Sequence, residues 1–205
     1  MSGLLIYGDS RSGNCYKIQL LCAELGIDHD WQEVDILAGE TRTPEFLAMN
    51  PNGRIPLARF ADGRYLAESN AIISYLADGT GFGGCDPWSR AEILQWLFFE
   101  QYSHEPFIAT SRFIIRYLGN PPEKRAVLEE KREGGQRALA ILEQQLSGKD
   151  YLLGRDMTLA DIALYAYTHV ADEGGFDLAD YSNIRTWIAR IASRPGYVPM
   201  RSVDH

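Results

Sequence analysis

Cysteine is scarce in this chain: Cys15, Cys22 and Cys85 are the three among 205 residues, and none belongs to a C-x-x-C pair. An odd, scattered set excludes a disulfide framework and offers no zinc-ligand spacing. The four histidines, His29, His104, His169 and His205, are equally dispersed, so the sequence calls for no metal. Basic residues are outnumbered, with 20 Lys and Arg against 28 Asp and Glu, a formal net charge of −8 and a pI near 5.0. Nucleic acid and anionic lipid both require clustered positive charge, and neither is an expected partner. No apolar run approaches the length of a membrane span. The opening stretch MSGLLIYGDSRSG has too short an apolar segment, and no basic flank, for a signal peptide. A cytoplasmic location is the expectation.

What is present is an ordinary globular composition, 45% hydrophobic and 23% charged, enough for one large domain or two small ones. Residues 4–7 form an apolar run closed by Gly8-Asp9, after which Ile18, Leu21, Cys22 and Leu25 recur at helical spacing until Gly26. Residues 31–36 read as a second strand. Thr43 followed by Pro44 reads as an N-cap with proline in the first helical turn, and Asn50-Pro51 ends that short helix. A strand over residues 55–60, a turn at Asp62-Gly63, a strand near Tyr65 and a helix over 69–77 complete a β-α-β-α-β-β-α order.

Residues 79–86 (GTGFGGCD) have the glycine content of a linker. All that follows reads as helix. Asp86-Pro87 begins a long helix that Pro106 should kink or divide, and Gly119-Asn120-Pro121-Pro122 separates it from a helix ending near Ser147-Gly148. Thr158-Leu159-Ala160-Asp161 is a capping-box variant, with Met157 and Ile162 placed as a hydrophobic staple. A final amphipathic helix spans 184–193. The expected division is therefore an α/β domain over residues 1–78, a linker over 79–86 and an all-helical domain over 87–205.

The most informative stretch is NPNGRIPLARFADGRYLAES, residues 50–69. Proline cannot donate to a sheet ladder, so Pro56 sits at a strand edge or start. A cis Ile55–Pro56 bond would bend the chain there and turn the Ile55 N–H and C=O outward, where an extended peptide can pair with them. Thirteen residues on, Glu68-Ser69 opens a helix and offers a hydroxyl and backbone amides that favour an anion. Together these features suit a small peptide bearing a carboxylate.

An X-Pro turn before the third strand of such a unit, joined to a helical half, resembles the cytosolic glutathione S-transferase family, in particular its bacterial, serine-type, theta-like members. The resemblance spans nearly the whole chain and rests on NPNGRIP, Glu68-Ser69 and YLLGRDMTLADIALYAY. It implies a thioredoxin-like N-terminal domain and an all-α C-terminal domain, with glutathione as co-substrate and a homodimeric assembly. Ile55 would pair through its backbone with the cysteinyl part of glutathione, beside Pro56 as the cis proline. Glu68 and Ser69 would hold the γ-glutamyl end, and Arg54 lies where relatives carry a residue that reaches the tripeptide.

For the thiol, the resemblance puts Ser12 in the catalytic role as a hydrogen-bond donor to sulfur at a helix start, with Asn14 as a second contact. A thiol with a pKa of about 8.5 needs roughly 2.7 kcal/mol to fall two units, and one charge-assisted hydrogen bond of about 1.5–3 kcal/mol, with the helix terminus, supplies it. Tyr7 and Cys15 are the competitors, the first as a phenolic donor or a packing residue, the second as a redox thiol or a small buried residue packed against the sheet. Trp96, Phe99, Tyr102 and Phe113 are the candidate wall for a hydrophobic electrophile. The activity implied is attack of the glutathione thiolate on that electrophile. A glutathione-dependent disulfide reductase or isomerase and a non-catalytic binding protein are the alternatives.

Overall fold

A computed structural model describes residues 3–201. Met1, Ser2 and residues 202–205, and with them His205 and the outer ends of the two expected domains, lie outside the described residues. The chain divides into two compact units, one running to Asp78 and resuming at Pro195, the other running from Gly79 to Arg194.

The first unit is thioredoxin-like. Strands β1 (Leu5–Gly8), β2 (Asp30–Glu33), β3 (Leu57–Arg59) and β4 (Tyr65–Ala67) form one sheet in the order β2-β1-β3-β4. β1 pairs parallel with β2 and antiparallel with β3, and β3 pairs antiparallel with β4. Helices α1 (Gly13–Leu25), α2 (Pro44–Met49) and α3 (Ser69–Leu76) complete the β-α-β-α-β-β-α order. Because alternate strand residues face opposite ways, Tyr7 and Leu57 join Val34 and Phe46 in one buried cluster while Ile6 and Ala58 face the other side. Gly26 ends α1 in a left-handed conformation, as its position after the last periodic apolar residue predicts.

The strands are shorter than their sequence pattern suggests. β2 ends at Glu33 because Asp35 turns its carboxylate onto the backbone N–H groups of Leu37 and Ala38, closing a loop over the residues expected to extend the strand. β3 begins only after Pro56, which has no N–H to pair. Residues 195–201 return to α1, where the Tyr16 hydroxyl donates to the Val198 carbonyl at 2.7 Å.

The second unit is all helical, with α4 (Pro87–Phe99), α5 (Glu105–Arg112), α6 (Arg125–Gln145), α7 (Leu159–Thr168) and α8 (Ser182–Ala192). Asp86 caps α4 by accepting from the N–H groups of Trp88 and Ser89. Pro106 acts as its missing N–H requires: the wider π turn Glu100–His104 intervenes between α4 and α5, and proline sits in the first turn of α5. Gly134 and Gly135 lie in the interior of α6, where each costs about 1 kcal/mol relative to alanine. A Cβ at Gly134 would fall 2.2 Å from the Phe107 ring, and one at Gly135 would meet Phe176 as closely, so the glycines admit two aromatic rings against the helix.

α7 is buried along its whole length. The capping box expected at its start is present, with Asp161 accepting from the Thr158 N–H at 2.9 Å and the Thr158 hydroxyl at 3.0 Å. Asp161 also accepts from the Leu152 N–H at 2.8 Å and from Trp187 Nε1 of α8 at 3.0 Å. One carboxylate thereby joins a loop and two helices.

Candidate binding site at the helix starts of the first unit

The loop between β1 and α1 is held by two carboxylates. Asp9 is fully buried and accepts from the Arg11 N–H, and its two oxygens take the Arg11 guanidinium at 2.9 and 3.1 Å. Glu33 accepts from the Ser10 N–H and hydroxyl on one oxygen and from Trp31 Nε1 on the other. Ser10 is therefore committed to β2. Ser12 is the N-cap of α1, yet its hydroxyl does not cap the helix.

That thiol is not a reactive one. Burial pushes Cys15 up to about 12, an effect that the Ser12 hydroxyl and the Asp9 backbone oppose and that the Asp9 charge adds to. Cys22, buried on the same helix, is pushed up to about 12 by burial alone. Tyr7 is buried in the cluster with Phe46, their rings 6.4 Å apart edge to face.

Asn14, in the first turn of α1, meets the start of α3: the Ser69 hydroxyl donates to Asn14 Oδ1 at 3.2 Å. The same Ser69 oxygen accepts from Lys17 Nζ at 3.2 Å, and Lys17 Nζ also donates to Asn70 Oδ1 at 3.2 Å. Lys17 is fully buried. Its neighbours on α1 are apolar, and sequence reading passed over it; the available signal was its spacing of three from Asn14, which sets both residues on one helical face.

Glu68 precedes this helix at φ 71°, ψ 115°, one of two non-glycine residues with positive φ among the described residues. Such a conformation costs on the order of 1–3 kcal/mol and is held only where the surroundings impose it. Here it ends β4, begins α3 through the bond from the Ile72 N–H to the Glu68 carbonyl, and leaves the carboxylate exposed. The Ile55–Pro56 bond is cis, with Pro56 buried and Ile55 half-buried at the start of β3. Arg54 is exposed, and its carbonyl accepts from Asn50 Nδ2 at 2.8 Å.

Of the expected residues, Ser12, Asn14, Glu68 and Ser69 thus meet where α1 and α3 begin, in the unit that also carries Arg54, Ile55 and Pro56. The expected electrophile wall belongs to the helical unit. Trp96 is buried and packs edge to face on Phe99 at 5.1 Å, Phe113 stacks on Tyr117 at 5.2 Å, and Tyr102 is 86% exposed. His104 is a core residue there. Thr168 donates its proton to the Leu164 carbonyl, so it accepts from His104 Nε2 at 2.9 Å.

Comparison with known proteins agrees with this picture. Residues 11–78 match the family model for the glutathione S-transferase N-terminal domain, and residues 96–195 match that for the C-terminal domain. A glutathione S-transferase structure from Pseudomonas fluorescens is 54% identical, with a TM-score of 0.96 over 98% of this chain and 100% of that one. The disulfide-bond oxidoreductase YfcG of Escherichia coli is 32% identical over 89% of this chain and 87% of its own. The glutathione transferase URE2P6 of Phanerochaete chrysosporium, solved with oxidized glutathione, is 25% identical, with a TM-score of 0.84 over 95% of this chain and 93% of that one.

Proposed function

The chain belongs to the glutathione S-transferase family, and from that premise we propose that it binds glutathione across the starts of α1 and α3 and stabilises its thiolate for attack on an electrophilic small molecule. The observation that carries this reading is the bond between Asn14 and Ser69. It joins the thiol-facing turn, where Ser12 has a hydroxyl not spent on capping, to the anion-favouring turn, where Glu68 is held in a strained conformation with its carboxylate exposed. In the proposed complex the backbone of Ile55 pairs with the cysteinyl residue, Ser69 receives the γ-glutamyl carboxylate and Glu68 receives its ammonium. Arg54 is a peripheral cation for the tripeptide. Ser12 and Asn14 then donate to the sulfur, and holding both reactants close does the rest.

A second reading keeps the same thiolate but directs it at sulfur: glutathione attacks one atom of a disulfide and expels the other as thiolate. The likeness to a disulfide-bond oxidoreductase and to a transferase solved with oxidized glutathione favours it specifically. Cys15 has no part in either reading, since its thiol stays protonated at neutral pH.

Titration calorimetry with reduced glutathione tests the shared premise. Binding in the millimolar range or tighter is expected, weakened about 10- to 100-fold by Ser69→Ala, the effect of removing one hydrogen bond to a charged group. No heat at millimolar glutathione would remove the proposal. Rates with a chlorinated nitroaromatic and with a small mixed disulfide then separate the two readings.

We also propose a homodimer. Leu94, Phe98 and Tyr102, spaced four residues apart on α4 and the turn after it, are 45%, 69% and 86% exposed, an apolar stripe of the kind that marks an interface. Light scattering should give twice the 23.1 kDa chain mass, and a monomer at micromolar concentration would refute the assignment.

A further inference from the structure

We propose that Lys17 is the positioning residue that orients Ser69 and gives the glutathione site its preference for a free γ-glutamyl carboxylate; the inference rests on the glutathione reading above. A buried ammonium is expensive, with an effective penalty of several kcal/mol even after relaxation. Lys17 nevertheless stands on the buried face of α1 between Tyr16 and Ile18, all three fully shielded from solvent. Its ammonium is aimed at the first turn of α3, with Ser69 Oγ and Asn70 Oδ1 each 3.2 Å away.

The chemistry of the donor decides what Ser69 can do. An ammonium has three protons and no acceptor, so Ser69 Oγ must accept from Lys17, and the serine proton must point away from it. In the structure that proton goes to Asn14 Oδ1. An anion arriving at the start of α3 would offer a stronger acceptor, and the same hydroxyl can turn to it without breaking its bond to Lys17. The anion then meets the backbone N–H groups of the helix start, an oriented O–H, and a positive charge one atom behind that oxygen.

Lys17 touches neither the ligand nor the reacting atoms in this scheme; it acts through Ser69. A neutral residue of the same length would leave Ser69 free to rotate and would take away the charge, while preserving the apolar packing of the lysine stem.

The test compares two ligands by calorimetry: glutathione, and glutathione in which the γ-glutamyl α-carboxylate is a primary amide. The wild-type protein is expected to favour glutathione by about 30-fold, or ~2 kcal/mol. In Lys17→Met that preference should fall to about threefold or less, chiefly through weaker binding of glutathione, with the affinity for the amide changed by less than about threefold. Lys17→Arg, which keeps a buried cation, should retain most of the preference. A merely structural lysine would weaken both ligands alike and leave the ratio near 30-fold, and that result would overturn the proposal. Should Lys17→Met fail to fold, Lys17→Gln, also neutral, is read against the same two outcomes. Ser69→Ala, which leaves Lys17 in place, should lower the ratio by a similar factor, and an unchanged ratio there would equally reject a role exerted through Ser69. A wild-type protein that binds neither ligand would instead remove the glutathione reading, and this inference with it.

Discussion

Asp161→Asn is expected to destabilise the helical unit by about 1–3 kcal/mol, the cost of leaving a buried donor without an acceptor. The carboxylate accepts on both oxygens, from the Leu152 N–H and Trp187 Nε1 on one and from the Thr158 N–H and hydroxyl on the other. Burial pushes this carboxyl above its usual range, and the donors oppose that push. An asparagine side chain has one oxygen and one amino group. Turned one way, the amino group faces two obligate donors, the Leu152 N–H and Trp187 Nε1; turned the other, it leaves the Thr158 N–H without an acceptor while the Thr158 hydroxyl can rotate to accept from it. For a chain of this size 1 kcal/mol moves the midpoint by about 2–4 °C, so scanning calorimetry should record a fall of roughly 4–8 °C. A midpoint within 2 °C of wild type would mean that the donors find other acceptors, and the account of Asp161 as a joint between loop, α7 and α8 would be wrong.

Removing both proposed donors to sulfur, Ser12→Ala with Asn14→Ala, is expected to lower kcat/KM for a chlorinated nitroaromatic by about 100- to 1,000-fold, the effect of deleting preorganised donors to a developing or resident negative charge. Ser12→Ala alone should give about tenfold or more, at least ~1.4 kcal/mol. The pH dependence carries the mechanism. If these groups stabilise the thiolate, the rise in kcat/KM with pH moves toward the free-thiol value of about 8.5 in the variants, and the deficit shrinks at high pH where the thiol ionises unaided. Cys15→Ala supplies the control, because a thiol pushed up to about 12 by burial cannot be the nucleophile at neutral pH. Activity that survives Ser12→Ala but disappears in a folded Cys15→Ala would reverse the assignment and favour redox chemistry through the enzyme's own sulfur.

Local grammar made much of the fold legible. A glycine after the last apolar residue of α1, proline in the first turn of α2, the Asp62-Gly63 hairpin and the Thr158–Asp161 capping box each depend on neighbours a few residues away, and each appears in the structure. Strand lengths were less legible. Where β2 stops depends on which way Asp35 turns its side chain: the Val34 N–H still bonds the Gly8 carbonyl of β1, and Asp35 and Ile36 leave the sheet.

The site divides along the same line. The ends of the proposed site are local features, a proline at a strand start and an acidic residue and serine opening a helix. Its middle is not local. Ser69 lies 55 residues from Asn14 and 52 from Lys17, and no periodicity links them. Lysine is also the residue least expected in a core, so a pattern of apolar positions reads past it. Cys15 is the opposite case. Its place at a helix start allowed an activated thiol as well as a small residue packed against the sheet, and it is fully buried, with burial pushing the thiol up to about 12.

The sequence by itself determined the order of elements, the glycine-bounded proline turn, the helix caps and the absence of any basic or metal-binding pattern, since each follows from backbone conformation or composition over a short span. The tertiary structure decided that Ser10 is bonded to Glu33 and that Tyr7 and Cys15 are buried, and it set a buried lysine behind Ser69. Hydrogen-bond commitment and desolvation are set by neighbours that only folding brings within 3.5 Å.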